Sequence, residues 1–269
     1  MNQARIDFAG AQLLGTRKNQ EDAYSLQPSK DSDHLICLLA DGMGGHEAGE
    51  VASELAVSTF VNGINVNGAP EQTSFMPLLD GANRAIANQV DKNPQLAGMG
   101  CTFVALEIIA ETFSWISVGD SPLFLLRDGK ISRKNADHSM AGRLDAAAAM
   151  GEISWEEAKQ SPDRNALLSA LTGDRISRLD ITKEPHTLRE DDWLILASDG
   201  LETLDDDLIA KTIAGVASQN ASDVVDALLL TVTDKAAPRQ DNTTVIAARL
   251  KKLDDEIEPD DVVTRPIRQ

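Results

Sequence analysis

Residues 34–53 read HLICLLADGMGGHEAGEVAS. The first seven, His34 to Ala40, form a compact apolar run that stops at Asp41-Gly42. A run of this length, closed by a turn pair, predicts a buried strand ending in a loop. From Glu50 to Ile64, apolar residues recur at Val51, Leu55, Val57, Phe60, Val61 and Ile64 with no proline between them. That spacing predicts a helix. In the connecting loop, Gly42 lets a backbone carbonyl approach a ligand with no Cβ in the way. Gly44 and Gly45 let the chain turn before the helix. A glycine-rich loop ahead of a helix is also a candidate phosphate cradle. This one lacks the Gly-Lys-Ser/Thr ending, and GxGxxG does not occur in it. Taken alone, the loop reads equally well as a tight turn and as a metal loop.

Outward from this stretch, short apolar runs alternate with longer amphipathic ones. Thr73 to Val90 reads as a second helix, weakened early by Pro77 and Gly81. Thr102–Ile109 and Phe113–Val118, joined through Ala110-Glu111, predict a hairpin. Leu123–Leu126 and Lys130-Ile131 across Asp128-Gly129 predict another. Residues 139–175 are Ala-rich and polar and read as small helices packed as an insertion, with Ser154 and Glu157 spaced as a capping box. Trp193 to Ala197, WLILA, is a buried strand that stops at Ser198-Asp199-Gly200. Helices near 205–218 and 221–235 follow, then a last strand, Thr243 to Leu250, opened by Asp241-Asn242. The domain is expected to span 1–250 with the insertion at 139–175. Residues 251–269, rich in charge and poor in apolar side chains, are expected to form an acidic flexible tail.

The positions of the acids carry the chemistry. Asp41 and Asp199 each follow an apolar strand and precede glycine. Asp120 follows a third strand and Asp241 opens a fourth. Asp22, after Glu21, sits in a polar turn before Tyr24. One aspartate at a strand end is an ordinary turn former. Five such acids, four of them at strand ends, converge if those strands share a sheet edge. Converging carboxylates repel, so they stay protonated or bind cations. Oxygen-only ligands select hard cations: Mg²⁺, Mn²⁺ or Ca²⁺. No His/Cys spacing suits structural zinc, and His46 has no second histidine four residues away.

Composition sets the outer limits. The 269 residues hold 25 Lys and Arg against 43 Asp and Glu, a formal charge of −18. That balance excludes a nucleic-acid binder, which needs clustered cations, and disfavours docking on an anionic membrane. Either it steers the chain towards a basic partner or it only keeps it soluble. Aromatics are 4% and apolar residues 42%, so the core is built from Ala, Leu, Val and Ile. No apolar run approaches the ~20 residues of a spanning helix, and Met1 to Phe8 has no hydrophobic stretch of a signal peptide. Cys37 and Cys101 lie in apolar runs and read as reduced, buried thiols. These features predict a soluble cytoplasmic protein.

RKNQED at 17–22, ADGMGGHEAGEVAS at 40–53, MGCT at 99–102, VGDS at 118–121, ADH at 136–138, LASDGL at 196–201 and DNTT at 241–244 occur in one order. In that order, across residues 5–250, the chain resembles the metal-dependent protein phosphatases, the protein-phosphatase-2C type, in their bacterial branch. The resemblance implies an α+β fold: a four-layer α-β-β-α sandwich of two antiparallel sheets flanked by helices, with a small flap insertion at 139–175. It implies two Mn²⁺ or Mg²⁺ ions per site and a weaker third. By resemblance Asp41 bridges the pair, Gly42 gives a backbone carbonyl, and Asp199 and Asp241 are the remaining direct ligands. Asp22 and Glu21 match the acids that hold the metals' water, Asp120 matches the third-metal ligand, and Asn242 positions Asp241. Arg17 matches the arginine that grips substrate phosphate.

The implied activity is hydrolysis of phosphoserine and phosphothreonine in proteins by direct attack of a metal-bridging hydroxide. The implied partner is a phosphorylated protein, a Ser/Thr kinase or its targets, acted on by a monomer. Some family members carry a histidine directly after Asp-Gly; here that residue is Met43. His46 is the nearest candidate general acid, beside a metal-bound water or a purely bracing role for the same histidine. Pro122 stands where the family often has arginine, and Cys101 where threonine is common. Trp155 and Arg143 are weaker substrate-contact candidates, and His138 reads as a satisfied turn histidine. The competing class is a catalytically silent relative that binds a phosphoprotein or a ligand. A nuclease is disfavoured by the charge, and a serine hydrolase because Ala197-Ser198-Asp199-Gly200 lacks the first glycine of GxSxG.

Overall fold

The structure is a computed structural model that describes residues 5–29, 33–44, 48–67, 73–216 and 219–251. His46 and the expected tail from 252 onward lie outside the described residues. The chain opens with β1 (Arg5–Leu13), β2 (Asp22–Pro28) and β3 (His34–Met43), followed by helices α1 (Ala48–Asn67) and α2 (Phe75–Lys92). A short β4 (Gly100–Cys101) leads into the hairpins β5 (Phe103–Ile109)–β6 (Thr112–Val118) and β7 (Leu123–Arg127)–β8 (Lys130–Arg133). Two small helices come next, α3 (Ala141–Ala149) and α4 (Trp155–Gln160), then β9 (Asp180–Ile181), β10 (His186–Thr187) and β11 (Trp193–Ala197). The chain closes with α5 (Asp206–Val216), α6 (Ala221–Lys235) and β12 (Thr243–Lys251).

The strands form two antiparallel sheets. One has five strands in the order β1-β12-β11-β7-β8; the other has seven, with the path β10-β6-β5-β3-β2 and β4 and β9 paired to β3 and β6. Side-chain alternation along the buried strands builds the layers. On β3, Leu35, Cys37 and Leu39 join Leu106, Leu194, Leu196 and Ile246 in the core between the sheets. Ile36, Leu38 and Ala40, pointing the other way, pack against Ala52, Ala56 and Phe60 of α1 and Leu79 of α2. On the far side Ile195, Ala197, Val245 and Ala247 pack on Ile209, Ile213, Val224 and Leu228 of α5 and α6. Strands buried on both faces show continuous apolar runs, which is why HLICLLA and WLILA read so clearly. The result is the expected α-β-β-α sandwich. Cys37 and Cys101 are buried free thiols, pushed up by burial and inert.

Three expectations change. The strand that starts at His34 does not stop at Asp41-Gly42: it continues to Met43, because Gly42 and Met43 pair with Cys101 and Gly100. Asp22 is not in a turn but is the first residue of β2, paired with Asp41. β1 is a strand where the sequence predicts no element: Ile6 and Phe8 face the core between the sheets while Ala9 and Ala11 face the helices. In the insertion, the Ser154–Glu157 capping box is present in both directions, at 3.1 and 2.8 Å. No helix among the described residues is long and apolar enough to cross a membrane.

Candidate metal centre

Strand ends from both sheets bring the acids together. Arg17, Glu21, Asp41, Gly42, Asp120, Asp199, Asp241 and Asn242 all line one cleft of about 610 Å³. Asp22 lies behind them and opens instead onto a groove beside α1. Asp41 is held at both backbone groups: its N–H donates to Thr102 Oγ1 at 2.9 Å and its carbonyl accepts from the Thr102 N–H at 2.9 Å. Thr102 Oγ1 is in turn 2.7 Å from Ser121 Oγ. Asp22 Oδ2 accepts from Ser198 Oγ at 2.7 Å and Thr244 Oγ1 at 2.6 Å, which ties the edge strand of one sheet to the other sheet.

Asn242 is the hub of the rim. Its Oδ1 accepts from the Glu21 N–H at 2.9 Å, and its Nδ2 donates to the carbonyls of Leu14 and Asn19 at 2.9 and 3.1 Å. These bonds hold the β1–β2 loop that carries Arg17. Its own N–H donates to Asp241 Oδ1 at 2.8 Å. Arg17 Nη2 bonds Asp241 Oδ2, and Nη1 lies 3.6 Å from Glu21. Gly42 admits no side chain: a Cβ there would stand 2.2 Å from the Gly49 carbonyl oxygen and 2.5 Å from that of Glu21.

The electrostatics are those of crowded carboxylates that Arg17 and Arg133 offset only in part. Burial, then the charges of Asp22, Asp199, Asp120 and Asp241, holds the Asp41 carboxyl well above the usual range. Burial pushes Asp22 up to about 7 against the two hydroxyl bonds that favour its ionised form. Burial, with Asp199 next, pushes Asp120 to about 7, and Asp199 is raised by burial and by Asp241. Asp22 Oδ1 and Asp199 Oδ1 are buried with no partner. An orphaned buried carboxylate oxygen costs several kcal/mol unless something neutralises it, by order of magnitude. Oxygen donors only, with a glycine carbonyl beside them, fit a hard cation. Among the described residues no three acidic, histidine or cysteine side chains close on a single point as a finished cage. That openness suits Mg²⁺- or Mn²⁺-type ions, which keep several waters and take one or two carboxylates each.

The hydroxyls of Thr102, Ser121, Ser198 and Thr244 were not among the candidates read from the sequence. MGCT, VGDS, LASDGL and DNTT each contain one, but only pairing between strands shows which acid it touches. His138 is buried, as expected of a satisfied turn histidine, and its Nδ1 accepts from the Gly119 N–H at 3.2 Å. Arg143 and Trp155 do not line this cleft.

Two face-packed antiparallel sheets between helices, with carboxylates at one edge, define the sandwich seen in solved bacterial serine/threonine phosphatases. The chain belongs to the protein phosphatase 2C family, whose model matches residues 9–242. It is similar to the crystal structure of the Mycobacterium tuberculosis serine/threonine phosphatase PstP/Ppp, with a TM-score of 0.75 and 30% identity over 92% of this chain and 99% of that one. The catalytic domain of PstP, solved in complex with two manganese ions, gives a TM-score of 0.73 at 28% identity over 93% of this chain and all of that one. In sequence, the chain is 32% identical over 193 residues to the Listeria welshimeri serine/threonine phosphatase Stp, covering 70% of this chain and 74% of that protein. It is 34% identical over 183 residues to M. tuberculosis PstP, covering 66% of this chain but only 34% of that protein's length.

Proposed function

We propose that the chain is a metal-dependent phosphoserine/phosphothreonine protein phosphatase. The observation that carries this reading is the cleft itself: buried, mutually repelling carboxylates, an orphaned Asp199 oxygen among them, with Arg17 at the rim. Asp41, Gly42, Asp199 and Asp241 are the residues proposed to hold two Mn²⁺ or Mg²⁺ ions. Glu21 and Asp22 act through the surrounding water, and Asp120 holds a weaker third ion. When bound, such ions make hydroxide available near neutral pH for direct attack on phosphorus and offset charge on the phosphoryl oxygens.

The chain's own residues do the rest. Arg17, at the rim, offers a planar fork to two phosphoryl oxygens and orients the phosphate over the acids. Asn242 keeps the Arg17 loop and Asp241 in fixed relation through its four hydrogen bonds. The Ser198 and Thr244 hydroxyls hold one Asp22 oxygen and leave the other buried without a partner. His46 is one candidate proton donor to the leaving alkoxide, beside water, the histidine otherwise bracing its loop. The proposed domain runs through β12, which carries it one residue past the expected boundary to Lys251, with its flap at 139–175 and the tail after it. The proposed setting is a cytoplasmic monomer acting on the targets of a Ser/Thr kinase.

The test is hydrolysis of p-nitrophenyl phosphate and of a phosphothreonine peptide with Mn²⁺, with Mg²⁺ and with EDTA. Release in metal that EDTA abolishes is the expected result. Folded protein that releases no phosphate in any metal overturns the enzymatic reading.

A further inference from the structure

A second cavity, about 770 Å³, opens beside the first and shares Asp120, Asn165, Asp199 and Asp241 with it. Five arginines line the two: Arg17 and Arg175 in the first, Arg133, Arg164 and Arg239 in the second. Three of them are neutralised in place. Arg17 pairs with Asp241 and Glu21. Arg133 lies 3.5 Å from Asp137 and 3.4 Å from Glu202. Arg164 grips Asp145 through both terminal nitrogens, at 2.7 and 3.0 Å.

Arg175 and Arg239 differ. Both are exposed, and neither makes a hydrogen bond or ion pair with any described residue. In a chain with 43 acids to 25 Lys and Arg, leaving two arginines unpaired beside an acidic cleft requires an account. Their backbones are also pinned. The segment that carries Arg175 is tied by Ser177 Oγ donating to the Leu168 carbonyl at 2.7 Å, and by the Gly173 N–H donating to Asn83 Oδ1 at 2.9 Å. Arg239 precedes the buried Gln240, whose Nε2 donates to the Gly200 carbonyl at 2.9 Å and whose carbonyl accepts from the Thr16 N–H at 2.9 Å. A fixed backbone keeps each guanidinium within reach of the cleft, so that pairing with an incoming anion costs side-chain freedom but no rearrangement of the loop.

We infer that Arg175 and Arg239 read anionic groups near the phosphorylated residue, so that the preferred substrate is a phosphopeptide with acidic neighbours. The inference rests on the phosphatase reading and adds its substrate class. A flanking anion is either a carboxylate side chain or a second phosphate. Both accept the guanidinium fork, and a phosphate, with more charge, accepts it more strongly. The selectivity is electrostatic and at the rim, so it weakens as salt rises.

The experiment compares kcat/KM in Mn²⁺ on four phosphothreonine peptides, flanked by Ala, by Glu, by a second phosphothreonine or by Lys. It uses the wild type and the variants Arg175→Ala, Arg239→Ala, Arg175→Ala/Arg239→Ala and Arg175→Glu. Exposed ion pairs predict a Glu-over-Ala ratio of about fivefold in the wild type, carried in KM. The ratio drops in each single variant, approaches one in the double variant, and tilts towards the Lys peptide in Arg175→Glu. A gain for the doubly phosphorylated peptide but not for Glu assigns the subsites to phosphate and supports the inference in that form. A wild type that hydrolyses p-nitrophenyl phosphate but has no preference for acidic flanks, or a double variant that keeps the preference, overturns the inference alone. A wild type that hydrolyses nothing overturns the phosphatase reading, and the inference with it.

Discussion

Asp22 and Asp41 face each other as a register pair across two neighbouring antiparallel strands. Like charges directly opposite on a sheet destabilise it, and both carboxyls sit above their ordinary range. The pairing is the first member of a wider cluster in which Asp120, Asp199 and Asp241 add to the same field. A fold that assembles this cluster gives up stability in the metal-free state at neutral pH.

Metal-free protein is expected to lose stability as pH rises. Asp22 and Asp120 titrate near 7 when folded, against about 4 in the unfolded chain. Between those values the unfolded chain has released protons that the folded protein keeps. Their contribution is therefore complete below about pH 4 and is lost as pH climbs through about 7. Thermal melts in EDTA from pH 5 to pH 8 are expected to show a falling Tm. Mn²⁺ should raise Tm more at pH 8 than at pH 5, where protons compete for the same oxygens. A Tm in EDTA that stays level or rises over this range contradicts the cluster's electrostatics.

Asp41→Asn separates stability from function. It removes one of the repelling charges while keeping the side chain's size. Turnover in matched metal is expected to fall by at least about a hundredfold. In EDTA at pH 8 the variant should melt higher than wild type. Near-normal turnover would remove Asp41 from the proposed ligand set.

Asn242→Ala tests the rim. Asn242 is 3% exposed, and its side chain satisfies the Glu21 N–H and two carbonyls of the Arg17 loop. Removing those partners is expected to cost about 3 kcal/mol. KM for a phosphopeptide should rise, and amide exchange should quicken across residues 14–21. Unchanged exchange there would show that the loop is held by other contacts.

Glycine substitutions should split by environment. Gly42→Ala places a methyl group against two backbone carbonyls that lack room to yield, a cost of about 1–3 kcal/mol or more, together with weaker Mn²⁺ binding. Gly81, within α2, has nothing within 4 Å of a Cβ, so Gly81→Ala is expected to stabilise by about 0.5–1 kcal/mol. Paired denaturant melts read both; equal effects would mean that the crowding around Gly42 is relieved at no cost.

The candidate acids could be listed from the chain because each stands at the end of a run whose character is local. HLICLLA, WLILA and TTVIAARL are apolar on both faces, so their ends are sharp. β1 was not legible: Ile6 and Phe8 alternate with Asp7, Ala9 and Ala11, but its small residues give too weak a contrast. β2 is an edge strand with only half-buried residues along most of its length, and Pro28 ends it, so DAYSLQP carries no pattern of its own. Asp22 therefore read as a turn residue.

Local pattern thus determined that acids end the strands, that the core is aliphatic, and that an all-oxygen donor set suits a hard cation rather than zinc. What the tertiary structure alone decided is which groups meet. Asp22 takes hydroxyls from Ser198 and Thr244, which are 176 and 222 residues away in sequence. Asn242 reaches 228 residues back to Leu14. The continuation of the strand through Gly42 depends on pairing with Gly100 and Cys101. The physical reason is range: hydrophobic periodicity acts over a turn or a pleat, whereas hydrogen bonds and carboxylate repulsion act between whatever the sheets bring within a few ångströms.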